Sequence, residues 1–398
     1  MLRSLYSGIS GLRSHQTMLD VTGNNIANVN TAGFKASATQ FQDTLSQLVQ
    51  GAGSPQAAVG GTNPAQVGLG VRVAGISTNF AQGSAQATGR STDMMISGDG
   101  FFVVRFGNEN LYTRAGAFDF DSQGRLVTPE GGIVQGWSAV NGVVQDGGAV
   151  GNISLPLDAV SPATKTTSAD VAGNLPGDAA VGDTLTRDIR VYAADGTPRT
   201  LSLTFTRTAG GWDVAGDDAA GAAGTLSLTF TDGVLTSSGT LDLDTTPADP
   251  AARITVDLSA VSSYAGMNTV TITGQDGREA GTLQSFSVAK DGTLIGTFSN
   301  GDTKAVGRIA LANFVNPAGL EKAGSSSYRA TVNSGTPELG TAGTGAMGTL
   351  AGGSLEMSNV DLSQEFTNLI VAQRGFQANA RIITTSDEVL QELTNLKR

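Results

Sequence analysis

Few residues in this 398-residue chain could do chemistry, and each is isolated. His15 is the sole histidine, beside Gln16 in a helical stretch, with no second ligand near it in sequence to make a metal or acid–base site. Gly98 and Gly100 form a G-x-G, but the following Phe101-Phe102-Val103-Val104 reads as a strand. A dinucleotide fingerprint needs a helix there, so that reading is rejected. Asp217-Asp218 and the Asp242, Asp244 pair lack the spacing and closing Glu of a calcium loop, and read as solvated turns. Trp137 and Trp212 fall in β-type runs, where core packing is the default and a sugar platform the alternative. Asn152-Ile153-Ser154 fits a glycosylation acceptor, a pattern that recurs by chance. Cysteine is absent, which removes disulfides, thiolate nucleophiles and thiolate metal sites together. That absence suits a chain that ends in an oxidising exterior, although many bacterial proteins simply lack cysteine. The expectation is a non-enzyme with no cofactor and no metal.

The bulk composition agrees. Charged residues make up 15% and the net charge is −11, so clustered Lys and Arg for phosphate contacts are missing and nucleic acid is not an expected partner. Glycine, at 54 residues, is about twice its usual share, which predicts many turns and short strands. A 39% hydrophobic fraction predicts folded domains. No apolar run is long enough to span a membrane, and MLRSLYSGISGL lacks the continuous apolar core and cleavage site of a secretory signal.

The elements that would position any site are helices at the ends and strands between. Leu5, Ile9, Leu12, Gln16, Leu19, Gly23 and Ile26 recur at alternating spacings of four and three. Leu362, Phe366, Leu369, Gln373, Phe376, Ala380, Ile383, Asp387 and Leu390 do the same. Such spacing puts one narrow apolar seam on each helix. Two readings stand: an internal pair of helices, or an interface between subunits. The C-terminal helix starts at Asp361 or Ser363 and would be about 52 Å long at 1.5 Å per residue, too long to be covered by one short N-terminal helix. Gly375 inside it costs roughly 1 kcal/mol and points to close approach of another helix.

Asn24, Asn25, Asn28, Asn30 and Gly33 end the first helix, since Asn favours caps and turns. Residues 34–50 read as a short amphipathic piece with Phe34, Phe41, Leu45 and Leu48, and 51–70 as an extended linker or loop. Beyond Val71 the pattern is antiparallel β, with turn dipeptides Asp195-Gly196, Asp291-Gly292 and Asn300-Gly301. LSLTFT occurs at 201–206 and at 226–231, alternating apolar with polar, as two strands of one sheet would. The fold class is mainly β with terminal α-helices: two antiparallel β-rich domains and a helical coiled-coil region built from both ends.

Five segments carry a resemblance to a known family. NNIANVNTAGFK (24–35) and SNVDLSQEFTNLIVAQRGFQANARIITTSDEVLQELTNLKR (358–398) resemble the two ends of the axial proteins of the bacterial flagellum, its rod and hook subunits. GDGFFVVRFGNENLYTRAGAFDFDSQGRLVTPEGGIVQGW (98–137), ANFVNPAGLEKAG (312–324) and GSLEMSNVDL (353–362) are similar to its central β-domain. Together they cover roughly half the chain. The extra material at 146–284 points to the hook branch rather than the shorter distal rod subunits. The resemblance implies a terminal helical polymerisation domain (1–33 and 359–398), a linker (34–70), a discontinuous inner β-domain (71–145 and 285–358) and an inserted outer β-domain (146–284). It further implies a self-assembling curved tube that carries torque from rod to filament as a universal joint. Its subunit contacts would be Leu5, Ile9, Leu12, Leu19 and Ile26 with Leu362, Phe366, Leu369, Phe376, Ile383 and Leu390. The family motif falls on Asn24, Asn25, Asn28, Asn30, Gly33 and Phe34. The implied partners are the chain itself, rod, hook-cap and hook–filament junction proteins, and the flagellar type III export apparatus. The implied location is extracellular, reached without a cleaved signal. The alternatives are a distal rod subunit or an extracellular β-rich binding protein.

Overall fold

The computed structural model describes residues 2–55, 60–140, 142–156, 160–218, 223–243 and 253–395. Helices stand at both ends, α1 (Leu2–Ala27) and α2 (Leu362–Asn395), and strands fill the rest. Asp361 begins α2: its Oδ1 accepts from the Ser363 and Gln364 amides at 2.9 and 3.3 Å, which satisfies two otherwise unpaired donors of the first turn. The chain divides into two compact units. The first holds residues 1–156, 286–295 and 305–398, and the second 157–285 and 296–304. Both helices therefore belong to the same unit as the first β-domain.

Residues 34–70, expected as an amphipathic piece and a linker, hold three short strands among their described residues. β1 (Ser37–Asp43) pairs antiparallel with β4 (Val71–Thr78), and β2 (Ser46–Gln50) with β3 (Ala65–Gly68). The spacing of Phe34, Phe41, Leu45 and Leu48 imitates a helix. The alternating run VRVAGIST gives β1 a ladder partner instead, and a bulge between Gln40 and Phe41 keeps the pairing in step. Asp244 lies outside the described residues.

In the first unit a sheet surrounds the aromatic run Phe101–Phe106. That strand pairs with Glu109–Thr113 on one side, and with Ile133–Val140 and Thr303–Asn313 on the other. One face packs Met94, Ile96, Phe102, Phe118, Leu126 and Leu311, and the other Phe101, Val103, Tyr112, Phe314 and Tyr328. Alternation along the strand sends successive side chains into the two cores. In the second unit, Thr184–Tyr192, Pro198–Thr208, Gly211–Asp217 and Ala223–Thr231 form an antiparallel meander. The two LSLTFT copies sit in its second and fourth strands, on either side of Gly211–Asp217. Asp195-Gly196 turns the chain between the first two, but with Gly196 alone at positive φ (84°), so the turn is not the two-residue type I′ form that the dipeptide suggests. One pairing departs from the antiparallel expectation: Ser168–Asn174 runs parallel to Ile254–Ser262. Trp212 is buried in this unit's core, and Trp137, in the first unit, donates from Nε1 to the Gly148 carbonyl at 3.0 Å, so neither presents an open face.

Candidate assembly surface

The helices pack antiparallel, and small residues make the contact. A Cβ placed on Gly8 would meet the Ile383 side chain at 3.4 Å, and one on Gly11 the Asn379 side chain at 2.6 Å. One on Gly375 would meet the His15 ring at 2.5 Å. Further along, Asn25 Nδ2 donates to Glu365 Oε1 at 3.1 Å. Gly8, Gly11, Ser14, Thr22 and Asn25 are the buried positions of α1, and Ala372 is the buried position of α2. Each glycine leaves room for a side chain of the facing helix, Ile383 and Asn379 over α1 and His15 over α2, so the helices interlock. The close approach expected at Gly375 is thus made by His15 of the same chain, whose ring also lies 5.8 Å from that of Phe41.

This inner face is not the leucine seam. Leu5, Ile9, Leu12, Leu19 and Ile26 are half-buried. On α2, Ile383 packs over Gly8, and Leu369 is half-buried. Leu362, Phe366, Phe376 and Leu390 are exposed, with Ile370, Val371, Ile382, Val389 and Leu393 beside them. Over its 34 residues α2 thus leaves many apolar side chains uncovered. The β2–β3 ribbon adds exposed Leu45, Leu48, Val49, Val67 and Leu69. A lone two-stranded ribbon is at best marginally stable in water, so this one gains from a partner.

The Asn-rich motif fastens the helices to the β-domain. Asn25 Nδ2 donates to the Ser37 carbonyl at 2.8 Å, and the Ser37 amide donates back to Asn25 Oδ1 at 3.0 Å. Asn28 Nδ2 donates to the Asn24 carbonyl at 2.9 Å and so closes the last turn of α1, while Asn30 is exposed. Gly33, at φ 67°, presses on the β-domain: a Cβ there would lie 2.4 Å from the Ala115 nitrogen, so no other residue fits. Phe34 lies under the Lys322 ammonium at 5.3 Å, and that Nζ donates to Ser37 Oγ.

Beneath the motif is a buried charge cluster. Lys35 Nζ donates to Glu356 Oε1 at 2.6 Å, with both side chains at 0% exposure, and to the Ala81 carbonyl at 2.8 Å. The Gly83 amide donates to the same Oε1 at 2.9 Å, and Arg114 stands 3.5 Å from Oε2. Burial lowers the Lys35 pKa, against the pull of Glu356. Asn359 completes the junction: its Oδ1 accepts from the Ala36 amide, and its Nδ2 donates to the Asn79 and Ala81 carbonyls. Sequence reading quoted Lys35, Glu356 and Asn359 within motifs but gave them no role. The available signal was two charged residues flanking Gly- and Ser-rich turns in a chain poor in charge. The Gly8, Gly11, Ser14 spacing is a second signal, on the helix face beside the leucines.

No group of three metal-ligating residues occurs among the described residues, and none of their helices is long and apolar enough to cross a membrane.

Three family models match: a flagellar basal body rod protein model over residues 5–35, a flagellar hook protein FlgE/F/G D1 domain model over 95–169, and the C-terminal model of the basal body rod FlgEFG proteins over 351–396. The flagellar hook protein FlgE of Borreliella burgdorferi is 38% identical over the full length of both chains. That of Salmonella typhimurium is 36% identical over 99% of this chain and all of its own. A basal-body rod protein, FlgG of Bacillus subtilis, is 35% identical over both full lengths and matches no better. Among solved structures, the hook protein FlgE2 of Helicobacter pylori aligns with 68% of this chain and all of its own, at a TM-score of 0.46 and 14% identity. The first and last matched segments contain the two helices that pack together, and the middle one contains the aromatic strand Phe101–Phe106. With relatives this similar from end to end, the chain belongs to the flagellar hook protein family.

Proposed function

We propose that this hook-family subunit polymerises through its helical hairpin into a flexible curved tube that transmits torque from rod to filament as a universal joint. The observation that carries the reading is the split of duties on the helices. Glycine, serine and asparagine hold the hairpin together, which leaves Leu362, Phe366, Phe376 and Leu390 exposed on α2. Leu5, Ile9, Leu12, Leu19 and Ile26 of one subunit then pack with those residues of its neighbours, while Leu369 and Ile383 support the hairpin from within. Knobs-into-holes packing of helices resists torsion. The unit at 157–285 and 296–304 corresponds to the inserted outer domain, whose polar surface lets neighbours slide as the tube bends. The junction at Asn24, Asn25, Asn28, Gly33 and Phe34 fixes the angle of the helices on the inner β-domain. The further partners are rod, hook-cap and junction proteins and the type III export apparatus. The working place is outside the cell, and the role is structural rather than catalytic.

Deleting residues 1–30 and 360–398 cuts just outside the Lys35–Glu356–Asn359 junction. The remainder is expected to sediment as a folded monomer and to form no tubes by electron microscopy. Tubes from that fragment would overturn the reading.

A further inference from the structure

The charges of the helical hairpin stand where the hairpin does not pair them. Arg374, Arg381 and Glu388 recur at intervals of seven, so they share one stripe of α2, and Glu392 stands one turn beyond Glu388. A helix forms its own ion pairs between positions three or four apart, and no opposite charge lies at that spacing from any of these four. Across the hairpin, Gly11 faces Asn379 and His15 faces Gly375, which sets Arg13 at the level of Arg374 and Arg381. The middle of the hairpin thus carries a band of arginines. Its tip carries the carboxylates Asp387, Glu388 and Glu392, with Arg3 as the cation of α1 at that level, so the tip stays net acidic among the described residues.

Both groups are exposed, and so is every described residue from Asp387 to Asn395. Among the described residues none of these side chains enters an ion pair, and Asp387 accepts only from Gln391 Nε2, at 3.4 Å. In a lone subunit the layout is unfavourable. Glu388 and Glu392, four positions apart, repel each other. Carboxylates near a helix C-terminus also oppose its macrodipole, and the last turn of α2 has no basic residue to offset them. Exposed apolar side chains flank both groups, Val371, Phe376 and Ile382 at the band and Val389, Leu390 and Leu393 at the tip. Opposite charges brought together beside such surfaces lose surrounding water and attract more strongly than in open solvent.

We infer that the acidic tip of one subunit's hairpin lies against the arginine band of a neighbouring copy. The inference rests on the assembly reading above and adds to it the register between subunits. Charge complementarity selects the occupant: the two surfaces are opposite in sign, share one stripe of α2, and find no ion-pair partner within the described chain. Hairpins aligned in step would set tip on tip and band on band, like charge on like, so a stagger is favoured. Glu388 and Glu392 centre about 12 positions beyond Arg374 and Arg381, which is roughly 18 Å along a helix at 1.5 Å per residue. Parallel hairpins displaced by that step repeat one head-to-tail contact from each subunit to the next, as an open helical polymer requires.

Reversing the charges tests the register. Glu388→Arg with Glu392→Arg, and separately Arg374→Glu with Arg381→Glu, are each expected to raise the protein concentration needed for tube growth about tenfold or more. The melting of the monomers should stay as in the natural chain, since all four side chains are exposed. A chain carrying all four changes regains opposite signs at the contact and is expected to need about tenfold less protein than either double variant. Double variants that grow like the natural chain, or a four-change chain no better than its parents, would overturn the inference. The natural chain supplies a test without substitutions: raising sodium chloride from about 0.05 to 0.5 M screens the contact and should raise the concentration needed for growth. No change, or a fall, would count against the register. Failure of the unmodified chain to form tubes under any of these conditions would instead strike the assembly reading itself.

Discussion

The Glu356 carboxylate is shut away from water and held by a lysine, a backbone amide and an arginine drawn from three separate stretches of chain. Removing one member of such a set leaves buried charge uncompensated. Glu356→Ala is therefore expected to lower unfolding free energy by about 3–5 kcal/mol in denaturant titration, whereas loss of a surface ion pair such as Arg90–Asp119 should cost under about 1 kcal/mol. Gly375 gives a second expectation. Alanine there gains roughly 1 kcal/mol of helix propensity, but its Cβ would sit 2.5 Å from the His15 ring. Gly375→Ala should thus speed amide hydrogen exchange in α1; slower exchange would mean that the ring moves aside freely. Single residues were the least legible part of the sequence. Gly375 was read correctly as a site of close approach because a helix-interior glycine carries a visible cost. The Lys35–Glu356 contact spans 321 positions, and no local pattern announces it.

At the scale of elements, the helices were readable and β1 and β2 were not. A heptad sustained over many residues has only one economical structure, and of the two candidate starts, Asp361 and Ser363, the cap falls on Asp361. Residues 37–50 carry too few apolar side chains for periodicity to separate helix from strand, and the partner strand settled the matter. The seam itself was half legible. Its spacing identified the helices, while the face that holds them together is the glycine and serine row beside it. The β2–β3 ribbon belongs to this scale too. Leu48 and Val49 touch water, so Leu48→Asp with Val49→Asp should change the monomer's melting by little, within about ±0.5 kcal/mol per site. The same pair of changes should retard tube growth, followed by light scattering, if the ribbon is covered in the polymer. Phe376→Asp makes the parallel case on α2: assembly is blocked while the β-sheet circular dichroism stays intact.

For the whole molecule, pH separates the two kinds of charge. In the second unit, backbone and hydroxyl donors hold carboxylates below their ordinary value of 3.8: the Gly266 amide on Asp178, and the Thr197 hydroxyl and amide on Asp195. At Asp276 burial pushes upward, but hydrogen bonds from Ser168 and Thr167 outweigh it. A depressed folded pKa means that the stabilisation is complete above about pH 4 and is lost as pH falls through the folded values. Trp212, in this unit's core, reports the change: in a Trp137→Phe background its fluorescence melting temperature should be flat from pH 5 to 8 and drop below pH 4. A transition centred between pH 6 and 7 would contradict these assignments. Tyr328, pushed up to about 12 by burial, should stay silent in ultraviolet titration well past the usual phenol range.

The Lys35–Glu356 pair also dictates timing. Whichever end of the chain is delivered first, its half of the junction waits for 321 residues before its counterpart exists nearby. Contacts of that sequence separation close slowly and late. α1 can coil on its own and Asn25 can reach Ser37 early, but the residues that cover its small-residue face (Glu365, Asn379, Ile383) and the carboxylate that pairs with Lys35 come from the C-terminal stretch. The molecule thus completes its two ends together: the Lys35–Glu356 pair forms only once both stretches of chain are present.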